Sequence, residues 1–214
     1  MLISKNCFLI ILILVAGCKN KPATLSLPFI NKPDFTPEWI EKKDAAYSSI
    51  HRIPAFSFTD QNGETVTEKN VVGKIYVADF IFTRCASICP KMTANMGILQ
   101  EKFKSDPAVL LLSHSVTPEM DSVPVLKKYA TERGVITGKW HLLTGNKDDI
   151  YRLAKKEYYA GDTIGYYQTG NEFLHTENFI LVDKQRRIRG VYNGTLPLEM
   201  ERLIDDIGEL KKEE

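Results

Sequence analysis

Apolar and polar residues first alternate with a period of two. Phe56-Ser57-Phe58 and Thr65-Val66 flank Asp60-Gln61-Asn62-Gly63. Asn-Gly between alternating apolar positions predicts an N-terminal β-hairpin. The next run, residues 75–82, is β-branched and aromatic and nearly continuous in apolar character, which predicts a central strand covered on both faces. Beyond Pro90 the period changes. Met92, Met96, Leu99 and Phe103 fall on one helical face, so a helix packs there against the sheet. Strand and helix then alternate: a buried strand over 109–116, a helix over 123–131 ended by Gly134, a short strand over 140–143 and a helix over 147–157. Residues 179–182 and 188–192 read as a closing hairpin around Asp183-Lys184-Gln185-Arg186, followed by a helix over 198–210. No internal repeat is visible. The order βββαβαβαββα implies an α/β sandwich, a central mixed β-sheet flanked by helices, with parallel strands in the middle and an antiparallel closing pair.

Composition narrows the reading only modestly. With 214 residues, 43% hydrophobic and 26% charged, the chain suits one globular domain, or at most one and a half. Lys plus Arg total 28 against 27 Asp plus Glu, so a nucleic-acid partner held by overall basicity is not expected. Four cysteines and four histidines are too few for a disulfide scaffold but enough for one small metal or redox site.

The first residues read as an address. Lys5 precedes an uncharged apolar run from Cys7 to Val15, then Ala16 and Gly17 before Cys18, which is the anatomy of a secretory signal. The run is well short of the roughly 20 residues that a spanning helix needs. Val15-Ala16-Gly17-Cys18 looks like a bacterial lipobox, in which the signal is cut before a cysteine that receives lipid. The expected organisation is a signal peptide over 1–17, a lipid-anchored Cys18 with an extended tether over 18–50, and the folded domain over 51–214. Prolines 22, 28, 33 and 37 suit such a tether. Lipid on the new terminal residue supplies membrane attachment, and cleavage leaves the mature chain formally neutral.

Two cysteines then await an explanation. Phe82-Thr83-Arg84-Cys85-Ala86-Ser87-Ile88-Cys89-Pro90 places two thiols at a strand-to-helix junction, with Pro90 suited to the first helical turn. Cys89 therefore lies at a helix N-terminus, where unpaired N–H groups and the dipole are expected to stabilise its thiolate. Core cysteines have no reason to cluster at a helix start in an exported protein. Three residues separate the pair where thioredoxin-type oxidoreductases carry two, and the longer loop leaves room for a metal. Metal binding and dithiol redox chemistry both stay open on these grounds.

Phe-Thr-x-Cys-x-x-x-Cys-Pro after a hydrophobic strand resembles the Sco/SenC family of copper-binding proteins, which have a thioredoxin-like fold. Other segments agree: Phe58-Thr59-Asp60-Gln61-Asn62-Gly63, Ser115-Val116-Thr117-Pro118-Glu119-Met120-Asp121, Trp140-His141-Leu142-Leu143-Thr144-Gly145, and Leu174-His175-Thr176 leading into Phe179-Ile180-Leu181-Val182-Asp183. The resemblance covers about residues 54–210 in the family's order. Two departures stand out. Ala86-Ser87 replaces the Pro-Asp pair of many members, and Thr117 replaces an Asp, so an acidic contribution is lost. No proline precedes the Phe179 strand, where thioredoxin-like oxidoreductases keep a cis-proline; His175 stands in that region instead.

The resemblance implies three copper ligands, Cys85, Cys89 and His175. Among the other histidines, His51 is expected to be solvated at the tether's end, His114 to be a hydrogen-bonded core or edge residue, and His141 to be packed. Two thiolates and an imidazole suit Cu(I), while Cu(II) accepts them with an added oxygen. Zinc is possible on ligand type, but its structural sites close with four protein ligands, and no convincing fourth is found. Met92 and Met96 read as core. The implied function is a copper metallochaperone for cytochrome c oxidase, delivering one ion toward its dinuclear copper centre, on the periplasmic side of a bacterial cell envelope. The metal needs both sulfurs reduced, so a thiol reductant or another copper chaperone is an implied partner. The alternative is a thiol–disulfide reductase using the Cys85/Cys89 pair. A peroxidase has little support, because the Thr and Arg arrangement of such enzymes is not found around Thr83 and Arg84.

Overall fold

In the computed structural model, which describes residues 26–161, 174 and 176–213, two short strands come first. They are β1 (Phe29–Ile30) and β2 (Pro37–Glu38), paired antiparallel, with a 3-10 turn over Ala45–Ser49 after them. The hairpin of β3 (Ser57–Asp60) and β4 (Thr65–Thr67) stands where Asn62-Gly63 predicts it. Gly63 takes φ 81° in its turn, a conformation that costs glycine little. Asp60 ties that turn by accepting from the Asn62 and Glu64 N–H groups at 2.8 and 3.1 Å.

The single-turn α1 (Glu68–Val71) leads into β5 (Ile75–Ile81), α2 (Cys89–Phe103) and β6 (Val109–Ser115). Next come α3 (Val123–Arg133), β7 (Trp140–Thr144) and α4 (Lys147–Arg152), which widens into a π-helical turn over Leu153–Glu157. The chain closes with β8 (Asn178–Val182), β9 (Ile188–Asn193) and α5 (Pro197–Leu210). The seven-stranded sheet has the order β4-β3-β7-β6-β5-β8-β9. β5, β6 and β7 are parallel, and β8, β9, β3 and β4 add antiparallel edges. This is the mixed α/β sandwich that the sequence predicts.

Every residue of β5 and β6 is buried, and the period of two sorts them between the two faces. Tyr76, Ala78, Phe80, Leu110 and Leu112 face one apolar layer with Ile150 and Leu153. Ile75, Val77, Ile81, Val109 and Leu111 face the other, with Met92, Met96 and Leu99 of α2 and Met200, Leu203 and Ile207 of α5. The α2 N-terminus has no side-chain cap and no acid in its first turn. A cap is worth about 1 kcal/mol, whereas each fully buried Met or Leu contributes about 1.5–3 kcal/mol. Packing therefore fixes this helix, and its first N–H groups remain available to other acceptors. Met92 and Met96 are core, as read from the sequence.

Residues 29–38 depart from the tether expectation, because Phe29 and Ile30 are already buried. Two guanidinium groups hold them: Arg189 and Arg187 lie 4.3 and 4.7 Å from the Phe29 ring centroid. Arg189 Nε also donates to the Pro28 carbonyl at 3.0 Å. Buried arginines need acceptors and π-faces, and this strap supplies both. Asn31 extends the attachment, accepting from the His51 N–H at 3.1 Å and, through its carbonyl, from Tyr159 Oη at 2.8 Å. The expected segments over 1–17 and at Cys18 lie outside the described residues.

Candidate metal and redox site

β5 carries the chain to the C-terminal end of the sheet's central strands, and the loop after it delivers both thiols. The Cys85 N–H closes a turn on the Phe82 carbonyl at 3.2 Å, and the Lys91 and Met92 N–H groups return to the Ile88 carbonyl at 3.0 Å each. The free thiols differ sharply: Cys85 is half-buried, and Cys89 is buried in the apolar layer with Met92 and Met96. The Cys89 N–H donates to Cys85 Sγ at 3.5 Å.

This geometry reverses the expected roles. Partial burial raises the Cys85 thiol, but the N–H groups of Cys89, Ser87 and Ile88, with the Cys89 thiol, outweigh it and hold Cys85 below its ordinary value. Cys89 is pushed up to about 12, chiefly by burial, with the Cys85 sulfur and the Asp79 carboxylate adding to it against one N–H bond from Phe82. The expectation of a thiolate at Cys89 is therefore corrected. The helix N-terminus points its N–H groups outward to the preceding sulfur, while the first helical residue turns its own sulfur into the core. Of the two sulfurs, Cys85 is the more accessible and the one held toward the thiolate.

Two acidic residues that the sequence reading did not single out shape this site. Asp121 is buried in the β6–α3 loop and accepts from Thr83 Oγ1 at 2.6 Å, Ser115 Oγ at 2.6 Å and Thr117 Oγ1 at 3.0 Å. It also accepts from the Thr83 N–H at 3.3 Å. Thr83 stands two residues before Cys85, so this carboxylate fixes the root of the thiol loop. Asp79 sits fully buried in β5, bonded to Ser113 Oγ at 2.5 Å, and its Oδ2 has no partner among the described residues. Burial raises its carboxyl to about 7, against the Ser113 hydrogen bond. An acid inside an otherwise apolar strand was a readable signal for it.

The histidines separate clearly. His114 is fully buried with neither ring nitrogen hydrogen-bonded among the described residues, contrary to the expectation of a bonded core residue. Phe56, Phe58, Phe80 and Tyr158 enclose it. His141 is packed as expected, with Nδ1 3.0 Å from Asp60 Oδ2. His51 is not simply solvated: its Nε2 lies 2.9 Å from the Glu157 carbonyl. His175 falls outside the described residues. Among the described residues no group of three or more His, Cys, Asp or Glu is placed to hold a metal, so the dithiol is the part of the expected ligand set that the structure brings together.

A mixed sheet whose central parallel strand hands a Cys-x-x-x-Cys loop to a helix defines a thioredoxin-like dithiol protein. The SCO1/SenC family model matches residues 45–212, and the chain belongs to this family. The SCO1 protein homolog of Bacillus subtilis (strain 168) is 33% identical over 159 residues, covering 73% of this chain and 81% of that protein. The crystal structure of a SCO1/SenC family lipoprotein from Bacillus anthracis str. Ames superposes with a TM-score of 0.66 at 31% identity, covering 80% of this chain and 99% of the other. BsSco, described as a member of the Sco family of cytochrome c oxidase assembly proteins with a disulfide switch, gives 0.65 at 32% identity, covering 77% and 96%. Arabidopsis thaliana ScoI, solved with copper bound, gives 0.57 at 25% identity, covering 74% and 98%.

Proposed function

We propose that this protein is a membrane-anchored copper metallochaperone. It takes one copper ion as cargo through Cys85, Cys89 and His175 and passes it to the copper-bearing subunit of cytochrome c oxidase, toward the dinuclear copper centre. The observation that carries the reading is the thiol loop itself. Two free sulfurs share one five-residue segment, and backbone N–H groups hold Cys85 toward the thiolate. Soft thiolates favour Cu(I), and the copper-bound Arabidopsis relative supports the same cargo. Support for His175 comes from its neighbours. Leu174 is buried in the core, the Asn178 N–H donates to Thr176 Oγ1 at 3.2 Å, and β8 starts at Asn178. β8 runs antiparallel to β5, so it starts at the end of the sheet where β5 leads to Cys85.

The anchor in this reading is lipid on Cys18 after loss of residues 1–17, and the Bacillus anthracis relative's description as a lipoprotein supports it. Among the described residues no helix is long and apolar enough to cross a membrane. The domain, from about residue 51 onward, then stands on the periplasmic side of the cell envelope. Oxidising surroundings favour a Cys85–Cys89 disulfide, so a thiol reductant or a second copper chaperone must return the pair to its ligating form.

The thiol asymmetry also favours a second reading, a thiol–disulfide reductase. The Cys85 thiolate attacks one sulfur of a partner's disulfide and releases the other as a thiolate. Cys89, once deprotonated, attacks Cys85 Sγ in the mixed disulfide, releasing the partner's second thiolate and leaving the Cys85–Cys89 disulfide. Copper titration of the reduced full chain separates the two, with Cys85→Ser, Cys89→Ser and His175→Ala in parallel. The metallochaperone reading expects uptake by the native chain, loss with either serine, and strong weakening with His175→Ala while exchange with a small disulfide persists. No uptake, or uptake indifferent to His175→Ala, refutes it.

A further inference from the structure

At the end of the sheet where β5 begins, away from the thiol loop, a cavity of about 710 Å³ opens beside the Phe29–Glu38 strap. The turn between β8 and β9 sits at this pole, since Val182 pairs with Tyr76 and the Gly73 N–H donates to the Lys184 carbonyl at 3.0 Å. The volume is in the range of small-ligand sites. Phe29, Trp39 and Tyr47 form aromatic wall, and Arg52, Arg187 and Arg189 bring guanidinium groups to it.

The three arginines are not equivalent. Arg189 is committed to the Pro28 and Leu27 carbonyls and to the Asp183 and Glu213 carboxylates. Arg52 is exposed. Arg187 is 4% exposed, with Nε on Asp183 at 2.8 Å and Nη2 on Gln185 at 3.0 Å. Its plane lies over the Phe29 and Tyr47 rings at 4.7 and 5.1 Å, and Nη1 has no partner among the described residues. A buried guanidinium N–H left unpaired is costly, by about 1–3 kcal/mol or more. Nη1 is closed off from water as the side chains stand, so an anionic oxygen reaches it only when the wall around Tyr47 gives way, while Arg52 is open to the cavity already. The two acids in the wall are already engaged, Glu213 with Arg189 and Glu41 with Lys43.

Two further features select the kind of anion. Trp39 is 61% exposed on the cavity wall, and an indole with one side wet and one side apolar suits a membrane–water boundary. Ser26 lines the same cavity, eight residues after Cys18, a span of at most about 28 Å. A lipid on Cys18 keeps the cavity at the bilayer surface; this step rests on the anchor proposed above, and the cavity's chemistry does not. We infer that the cavity receives the phosphate of an anionic phospholipid headgroup, with Arg187 and Arg52 as donors and the aromatic wall against the glycerol and first methylenes. Docking there turns the Cys85 pole away from the bilayer by the length of β5, roughly 20 Å.

The test uses the full chain in nanodiscs of phosphatidylcholine, with or without phosphatidylglycerol, read by tryptophan emission. Of the two tryptophans, Trp140 is fully buried, so a change reports Trp39, and Trp39→Phe should be silent. The expected result is a blue shift in phosphatidylglycerol discs that is lost in Arg52→Glu and Arg187→Gln. Arg52 is on the surface, so its variant stays informative if Arg187→Gln fails to fold. Equal emission in both discs, or a shift untouched by Arg52→Glu, overturns the inference. A shift reproduced by inorganic phosphate in phosphatidylcholine discs also overturns the lipid assignment, leaving a free-phosphate site. Copper titration of the same samples keeps the readings apart: a chain that takes up copper but ignores phosphatidylglycerol overturns this inference alone.

Discussion

Replacing His114 by Phe should change how stability depends on pH. The imidazole sits among four aromatic rings, 5.3 Å from Phe80, 5.5 Å from Phe58, 5.8 Å from Tyr158 and 6.3 Å from Phe56, centroid to centroid. Burial alone lowers its pKa from 6.5 to about 3. The unfolded chain therefore binds a proton that the folded chain refuses, and the stability contribution, complete above pH 6.5, is lost progressively as pH falls toward 3. Between pH 8 and pH 5 this amounts to about 2 kcal/mol. Asp79 acts in the opposite direction, because its carboxyl is raised to about 7, so the native protein's own profile is flattened. The informative quantity is the difference between variant and native protein. Phe leaves no unsatisfied ring nitrogens, which should add about 1–3 kcal/mol at pH 8, and the advantage should grow by about 2 kcal/mol at pH 5. Urea midpoints of the reduced, metal-free chain at both pH values measure it. Parallel profiles for the two proteins, or a variant less stable at pH 8, would refute the reasoning.

Asp79→Asn should stabilise the protein above pH 7 by about 2–4 kcal/mol, since the raised carboxyl contributes stability that is present below pH 3.8 and lost as pH rises through about 7. The gain should vanish at pH 4, and thermal melts at pH 8 and pH 4 check both signs. Limited alkylation of the reduced protein at pH 7 should modify Cys85 well before Cys89, because one thiol is held low and the other is raised to about 12; peptide mapping that finds Cys89 labelled first contradicts the assigned roles. Asp121→Ala should cost about 3–5 kcal/mol in chemical denaturation, as it strands the Thr83, Ser115 and Thr117 hydroxyls together. The same change should raise amide exchange through residues 83–88, while an unchanged exchange pattern would mean the carboxylate does not secure that loop.

Elements with a clear period were legible in the sequence. β5 and α2 announced themselves by a continuous apolar run and by Met92, Met96, Leu99 and Phe103, and Asn62-Gly63 marked its hairpin. The thiol pair was legible because its place at a strand-to-helix junction is a local fact. Which sulfur would be the thiolate was not, since that depends on where N–H groups point and which side chain enters the core. Asp121 was hidden for another reason. Its bonds to Thr83 span 38 residues, and no local pattern carries such a pairing. The strap at Phe29–Ile30 is too short to show periodicity, and its acceptors serve an arginine about 160 residues away. His114 was misread because its unbonded state comes from the phenylalanines of β3 and β5 that meet it across the sheet.

The Arg189 guanidinium joins distant parts of the chain in a way that matters to anyone handling the protein. It holds the Leu27 carbonyl at 2.5 Å and the Glu213 carboxylate at 2.6 Å, so both extremities of the folded body emerge side by side, at the pole remote from Cys85. A fluorescent fusion, an affinity handle or a sensor chip can be joined at either extremity without shading the sulfurs. A short peptide bridge between the two would also close the backbone into a circle, leaving the surface around Cys85 untouched.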